Sequence, residues 1–204
     1  MMDPMQFDPY DEVVPLPRAA RFPVELRPPK GFVAEDPRTW PRVEGRLEYL
    51  HERLLYMPPC ADLQQDVTLS VAGILDRWLD THPGFVAGTN EAGIMLGEDV
   101  RAADAAVWAR EAVGDHSGRF RRTPPILAVE VAGQEEAEDV LREKGAWYLS
   151  HGVQVVWLVL PEAREVVVLS PGGERRCGQG ECVPFHPALP DLAPEVQRFF
   201  RQLR

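Results

Sequence analysis

Two acidic residues and one lysine stand out in the middle of the sequence because they interrupt segments that are otherwise apolar. Asp104 lies within the small apolar run 102–107, and Glu130 lies near the end of the apolar run 126–131. Lys144 follows on a segment that we predict to be helical. Two carboxylates and an ammonium around one divalent cation can orient a water molecule and stabilise charge on a phosphate. The three residues are therefore candidates for a site that hydrolyses phosphodiesters.

The position of Glu130 in an apolar strand needs a physical explanation. An ionised carboxylate is costly to desolvate, and a second one about 4 Å away adds a repulsion of roughly 4 kcal/mol at an effective dielectric constant of about 20. Mg²⁺ removes both costs, because it binds one or two carboxylates together with waters and a substrate phosphate. The alternative is structural: Glu130 and Lys144 form an ion pair without function, and Asp104 is a turn or edge residue.

A strand–helix–strand unit is predicted to carry two of these residues. Residues 126–131 and 153–160 are apolar runs typical of strands buried on both faces, and residues 135–150 form the helix between them. Such a unit implies a right-handed crossover between parallel strands. Further strands are predicted over 53–57, 85–89, 92–96, 100–108 and 165–169. The fold class that follows is α/β, a mixed β-sheet flanked by helices.

Three more helices are predicted outside that unit. A short helix covers residues 43–50, and a terminal helix covers residues 194–204. A long helix starts at Asp62, which is able to cap it, and its apolar residues recur mostly at three- and four-residue steps. His82 and the Pro83-Gly84 pair after it end this helix.

Proline separates the first part of the chain from the rest. Residues 1–40 are rich in proline, which fixes the backbone and removes hydrogen-bond donors, so we predict an extended arm that wraps around the domain or is mobile. Residues 41–180 form the α/β domain, and residues 181–204 form a C-terminal tail with a short helix. Apolar positions in the arm favour a homo-oligomer, and we expect a dimer, the commonest symmetric assembly.

Composition limits the classes of partner and compartment. The net charge of −10 argues against broad attraction to nucleic acid, although the loop with Arg119, Arg121 and Arg122 permits either a local basic groove or a solvated surface. No apolar run is long enough to cross a bilayer, and the acidic start is not a secretory signal. Three cysteines form no dense framework, so we expect a cytoplasmic protein without membrane partners.

Several segments, taken in order, resemble one known family. They are ILAVEVA at 126–132, EKGAWY at 143–148, HGVQVVWLV at 151–159, EYL at 48–50 and LLYMPP at 54–59. The stretch 43–170 is similar to the restriction-endonuclease-like branch of the PD-(D/E)xK nuclease superfamily. In that branch the lysine has moved from the strand to the following helix, and a strand with the pattern GVxxxW comes next.

The resemblance implies a restriction-endonuclease-like fold and assigns roles to five residues. Asp104 and Glu130 would be metal ligands, with the backbone carbonyl of Val131 as a further ligand. Lys144 would be the catalytic lysine, and Glu48 would join the site through water. The implied cofactor is Mg²⁺, with Mn²⁺ as a possible substitute, and the implied substrate is DNA.

The sequence also departs from the family pattern around the acids and the lysine. The proline that usually precedes the first acid is Ala103, and the histidine common at the start of the long helix is Gln64. Other departures are Glu52 for a glycine, Gly133-Gln134 for a serine and Val140, beside Asp139, for an aspartate. Two hypotheses stay open: a Mg²⁺-dependent endonuclease that cleaves DNA, or a non-catalytic oligomeric protein for binding or assembly on the same fold.

Overall fold

A mixed β-sheet forms the centre of the protein, and helices cover both of its faces. A computed structural model describes residues 22–115, 118–133 and 136–203. The described strands are β1 (Val24–Leu26), β2 (Arg46–Leu50), β3 (Arg53–Met57), β4 (Phe85–Leu96), β5 (Asp99–Ala109), β6 (Leu127–Val131), β7 (Val155–Leu160), β8 (Glu165–Ser170) and β9 (Gly173–Cys177). The helices are α1 (Asp62–Leu79), α2 (Arg110–Val113) and α3 (Glu138–Ser150), with 3₁₀ turns at Pro37–Thr39 and Val196–Arg198. The predicted α/β class is confirmed.

Helix α1 covers one face of the sheet, which we call the α1 face. Its predicted apolar stripe faces the sheet, and the two ends of the stripe, Leu63 and Leu79, are half-buried. The buried part of the stripe consists of Val67, Val71, Ile74, Leu75 and Trp78. These side chains pack on alternate residues of the central strands and on the C-terminal segment. Within the described residues, no helix combines the length and the apolar character needed to span a bilayer.

Helix α3 covers the opposite face, which we call the α3 face. Alternation along β6 separates the two faces, because Val129 packs with α1 whereas Ala128 packs with Leu141 and Tyr148 of α3. Strands β6 and β7 are parallel, as the predicted crossover requires. Helix α3 begins at residue 138, slightly later than predicted.

Strand β5 is the junction of the sheet. Strand β4 pairs with it antiparallel from Ala109 to Asp99 and so occupies one edge along its whole length. Strand β2 pairs with β5 at Val100, and β6 pairs with β5 at residues 105–107. Because a strand has only two edges, β2 and β6 share the remaining edge and leave a gap between them around residues 101–104.

The structure corrects two predicted helices. Residues 46–50 form strand β2, not a helix, and join β3 through His51 and Glu52, whose φ angles of 49° and 62° suit a tight hairpin turn. The terminal segment has a single 3₁₀ turn in place of a helix, because its apolar residues insert into the α1 face. The predicted strands 85–89 and 92–96 are one strand, β4, with a bulge at Asn90 and Glu91.

The described part of the N-terminal arm wraps around the domain. Strand β1 pairs with the outer edge of β3, where proline-rich sequence is tolerated. Phe32 packs against Trp40 and Tyr49, and Trp40 packs against Phe120. Residues 1–21 lie outside the described residues, and the predicted boundary at residue 40 stays a prediction. Strands β1 and β9 were not predicted.

Candidate active site

Charged side chains collect on the α3 face where β2 and β6 flank the gap along β5. The buried charged residues of the described chain are three acids and three bases: Glu48, Asp104, Glu130, Arg46, Arg101 and Lys144. Their formal charges cancel. Continuing the register of Ala105 with Val129 by one residue sets Asp104 opposite Glu130, so these two predicted ligands come from neighbouring strands and share one face.

Asp104 is held by the backbone of the next strand. Its Oδ2 accepts a hydrogen bond from the N–H of Val131 at 2.7 Å, and its Oδ1 lies 3.6 Å from Nη1 of Arg46. The residue is 6% exposed. Burial, followed by the charge of Glu130, raises the pKa of Asp104 to about 7. The carboxyl group therefore takes up a proton near neutral pH unless a cation stabilises its charged form.

Two residues of α3 contact the carboxylate of Glu130. Its Oε1 accepts a hydrogen bond from the hydroxyl of Tyr148 at 2.8 Å, and its Oε2 lies 3.3 Å from Nζ of Lys144. Lys144 and Tyr148 are four residues apart and so project from the same side of the helix. Burial and the charge of Glu130 raise the pKa of Tyr148 well above its ordinary value, so its hydroxyl group stays a donor.

The protonation state of Lys144 follows from its neighbours. Burial by itself lowers the pKa of this amine, but the carboxylates of Glu130 and Glu48 outweigh burial and raise the pKa above its ordinary value. A further carboxylate, Glu136, lies 3.5 Å from Nζ. Lys144 is consequently an ammonium at neutral pH in the metal-free protein.

Glu48 closes the other side of the gap. It lies on β2, and its Oε2 accepts a hydrogen bond from Nη1 of Arg101 at 2.8 Å. Its Oε1 lies 3.3 Å from the backbone nitrogen of Ala102, which donates to it. The guanidinium of Arg101 also stacks over the ring of Trp147, 5.2 Å from its centroid. Glu48 thus satisfies a backbone donor that the interrupted β-ladder leaves open.

The backbone carbonyl of Val131 lies at the end of β6, one residue after Glu130. It accepts a hydrogen bond from Nε2 of Gln64, the first buried residue of α1, at 3.0 Å. The resemblance in sequence predicts that Gln64 stands where the family usually has a histidine. The side chain therefore links the start of α1 to the strand that carries Glu130.

Arg46, Arg101 and Tyr148 were not predicted as parts of this cluster. Arg46 precedes Glu48 by two residues on β2, so alternation along a strand would have placed both side chains on one face. The helix predicted over residues 43–50 does not place Arg46 and Glu48 on one face, so Arg46 was not recognised. Tyr148 is buried together with Trp147 and Trp157, and an aromatic residue on a predicted helix is ordinarily a core residue.

The basic loop packs on the sheet. Arg121 exchanges backbone hydrogen bonds with Gly93 and Met95 of β4, and its guanidinium lies over the ring of Trp108. Arg122 is exposed and pairs with Glu35 of the arm. The side chains of this loop are thus partly committed to contacts within the protein.

The oxygen atoms of the cluster suit a hard divalent cation. Asp104, Glu130 and the carbonyl of Val131 supply oxygen donors of the kind that Mg²⁺ prefers, and the raised pKa of Asp104 is the electrostatic cost that a cation would remove. Among the described residues, no group of three or more His, Cys, Asp or Glu side chains is arranged to hold a metal ion. These oxygen atoms therefore suit an ion that binds two carboxylates and completes its coordination shell with the carbonyl oxygen of Val131 and with water.

Comparisons with known proteins agree with this geometry. The chain resembles a solved structure from Anabaena variabilis described as "a putative nuclease belonging to DUF820", with a TM-score of 0.71 and 16% identity over 82% of this chain and 96% of that one. At that identity the likeness shows a shared fold. No curated protein matches the chain. The family described as "Uma2: Putative restriction endonuclease" matches residues 34–197. The chain belongs to the Uma2 family, and its restriction-endonuclease-like fold is the one that the sequence predicted.

Proposed function

We propose that this protein is a Mg²⁺-dependent endonuclease that hydrolyses phosphodiester bonds in DNA. One observation carries the proposal: Asp104 and Glu130 lie on one face of neighbouring strands, and Nζ of Lys144 is 3.3 Å from Glu130. Membership of a family whose description reads "Putative restriction endonuclease" supports DNA as the substrate. Hard oxygen donors beside an ammonium are the functional groups that this chemistry requires.

The proposed roles divide between holding the ion and stabilising the phosphate. Asp104, Glu130 and the carbonyl of Val131 would hold Mg²⁺, and Mn²⁺ would substitute for it. When bound, the ion would acidify a water molecule and offset charge on the phosphate. Lys144, as an ammonium, would donate a hydrogen bond to the phosphate or to the attacking water. Glu48 would act through water, because Arg101 and the backbone of Ala102 already engage its two oxygens.

Charge balance favours a second candidate function. The formal charges of the three buried acids and the three buried bases cancel, so no metal ion is needed to balance them. A neutral, hydrogen-bonded cluster is compatible with a non-catalytic protein for binding or assembly that keeps the nuclease fold. The two candidates differ in whether the protein binds divalent cations at all.

Metal titration and plasmid cleavage separate the candidates. We expect Mn²⁺ to bind and a supercoiled plasmid to be nicked with Mg²⁺ or Mn²⁺. Asp104→Asn, Glu130→Gln and Lys144→Met should each lower the cleavage rate by at least about 100-fold, because each removes a charge used in the transition state. These replacements keep side-chain size, and the amide oxygen introduced by Asp104→Asn can still accept the hydrogen bond from Val131.

Lys30→Met is the matched control for the lysine variant. Lys30 is exposed in the arm, so its replacement should leave cleavage unchanged. Circular dichroism establishes that each variant is folded. Full activity in all three site variants would end the nuclease proposal, and absence of both Mn²⁺ binding and cleavage in the unaltered protein would favour the non-catalytic candidate.

We also propose a homodimer. Phe22 and Val33 in the arm remain 47% exposed, which leaves apolar surface for a second copy to cover. Light scattering coupled to size-exclusion chromatography should give twice the chain mass of 22.9 kDa. A monomer at micromolar concentration would contradict this proposal without affecting the one for cleavage.

A further inference from the structure

Arg46 is the least satisfied cation of the buried cluster. Its side chain is 10% exposed, and the ion pair within 4 Å is to Asp104, whose Oδ1 is 3.6 Å from Nη1. Burial lowers the pKa of this guanidinium, and the charges of Glu130, Glu48 and Asp104, in that order, raise the pKa above its ordinary value. Its Nη2 donates to the sulfur of Met57 at 3.1 Å, and a thioether is a weak acceptor. The Nε atom is buried and has no hydrogen-bond partner among the described residues. Few of the five N–H donors of this guanidinium therefore have a strong hydrogen-bond acceptor.

Arg101 shows what a well-anchored arginine in the same cluster looks like. Its Nη1 donates to Glu48 at 2.8 Å, and its guanidinium stacks on Trp147. Its Nε is also unpaired, but a short charged hydrogen bond and a ring fix the rest of the group. Arg46 has no equivalent contact among the described residues, since its separation from Asp104 exceeds a direct hydrogen bond.

The acceptor that Arg46 approaches is the available oxygen of Asp104. Oδ2 is committed to the backbone N–H of Val131, so a metal bound by Asp104 would use Oδ1. A divalent cation at that atom would compete with the guanidinium for the same lone pairs and repel it. Guanidinium groups bind phosphate oxygens through two parallel hydrogen bonds. The displaced Arg46 would still lie beside the ion, where the substrate phosphate is expected.

We propose that Arg46 is the counter-ion of Asp104 in the metal-free protein and the residue that binds the substrate phosphate once a metal occupies Oδ1. This inference rests on the proposed function, because it assumes that a metal binds at Asp104. It makes two predictions of opposite sign. Removing the charge of Arg46 should strengthen metal binding in the absence of DNA and weaken DNA binding in the presence of a metal.

The test measures both affinities for Arg46→Met. We expect Mn²⁺, titrated calorimetrically without DNA, to bind at least about tenfold more tightly, because a buried positive charge next to the ion is gone. Binding of a short DNA duplex in Ca²⁺, followed by fluorescence anisotropy, should weaken by at least about tenfold. Arg53→Met is the matched control, since Arg53 is exposed on the same hairpin, and it should change neither affinity by much.

A folded Arg46→Met protein with unchanged affinity for Mn²⁺ or for DNA would overturn the inference. Arg46→Lys provides a second variant if the methionine variant does not fold. Lysine keeps the charge and loses the paired donors, so the affinity for Mn²⁺ should stay near that of the unaltered protein while DNA binding weakens severalfold. Unchanged DNA binding by a folded Arg46→Lys protein would also overturn the inference. If the unaltered protein binds no Mn²⁺, the proposed function fails. If it binds Mn²⁺ with an affinity that Arg46→Met does not change, only the inference about Arg46 is contradicted.

Discussion

The two faces of the sheet are built on different principles. The α1 face is an apolar core in which one helix and the C-terminal segment pack on alternate strand residues. The α3 face has a comparable apolar core, but it also buries the six charged side chains at the gap between β2 and β6. We infer that packing on the α1 face mainly stabilises the protein. Burying charged side chains on the α3 face lowers stability but brings together the groups of the candidate site.

A large-to-small substitution on the α1 face should sharpen this contrast most. Leu75→Ala removes a side chain that is 1% exposed and should lower the free energy of unfolding by about 2–5 kcal/mol. Metal affinity of the folded fraction should not change, because no charged group of the cluster is touched. Urea unfolding and Mn²⁺ titration provide the two readouts.

Leu69→Ala on the same helix is its control. Leu69 is 59% exposed, so its replacement should change stability by no more than about 0.5 kcal/mol. Equal effects of the two variants would show that α1 does not anchor the core through its predicted stripe.

The charged face should respond to pH through Asp104. Its pKa is 3.8 in the unfolded chain and about 7 in the folded protein, so the native state binds more protons between these values. Stability of the metal-free protein, measured relative to Asp104→Asn, should therefore fall as pH rises from 5 to 8, by more than about 1.4 kcal/mol. The cost grows as the pH rises towards 7, levels off about one unit above pH 7 and vanishes below about pH 4.

Urea unfolding of both proteins at several pH values measures this difference. Mg²⁺ should reduce it at high pH by binding the ionised carboxylate. A difference that stays flat between pH 5 and pH 8 would contradict the expected burial of an ionisable Asp104.

The close approach of α3 to the sheet depends on Gly145, next to Lys144. A Cβ atom there would lie 2.6 Å from Cδ1 of Leu169, the end of a side chain that is itself buried and has little room to move. The crowding should outweigh the gain in helix propensity, so Gly145→Ala should destabilise the protein by about 1–2 kcal/mol and displace the helix. The displacement should also lower the cleavage rate, because Lys144 moves with the helix. Thermal unfolding and plasmid nicking measure the two effects.

Gly73→Ala on α1 is the paired control. A Cβ atom at residue 73 would meet only side-chain nitrogens at 3.5 and 3.6 Å, so higher helix propensity should stabilise the protein by up to about 1 kcal/mol. Destabilisation by both variants would mean that the two helices are equally close-packed.

The smallest effect is expected on the outer side of α3. Arg176 pairs with Glu138 and Glu165 at 2.6 Å each, but the arginine side chain is 40% exposed. Arg176→Ala should cost less than about 1 kcal/mol, and the cost should shrink in 1 M salt because solvent screens such pairs. A larger or salt-independent loss would place this network among the main sources of stability.

How well each element of the fold could be predicted depends on whether its sequence signal is local or involves distant residues. The stripe of α1 and the apolar runs of β6 and β7 are local periodicities, and they gave the elements and the parallel pairing. Strand β2 was predicted as a helix because residues 46–50 are too few to show a period, and its pairing with β3 depends on a turn at His51-Glu52 without glycine. Strand β9 is mostly exposed and polar, so no buried alternation marks it.

The candidate site was predictable only in part. Asp104, Glu130 and Lys144 attract attention because they are charged residues in apolar segments. The partners of Asp104 and Glu48 come from residues far away in sequence, since Arg46 meets Asp104, and Arg101 meets Glu48, only after β2 and β5 pair. Metal binding by these acids, and the part played by Val131 and Glu48, stay predictions.

The divided edge of β5 has a consequence for how such a protein can diversify. Sites built on surface loops shift whenever a loop changes length, whereas here the acids project from hydrogen-bonded strands deep in the scaffold. Insertions in the arm or in the segment after α2 could remodel what the surface recognises and leave the spacing of the carboxylates intact. In a nuclease built in this way, as we propose for this protein, recognition and bond cleavage would be free to evolve on separate parts of the chain.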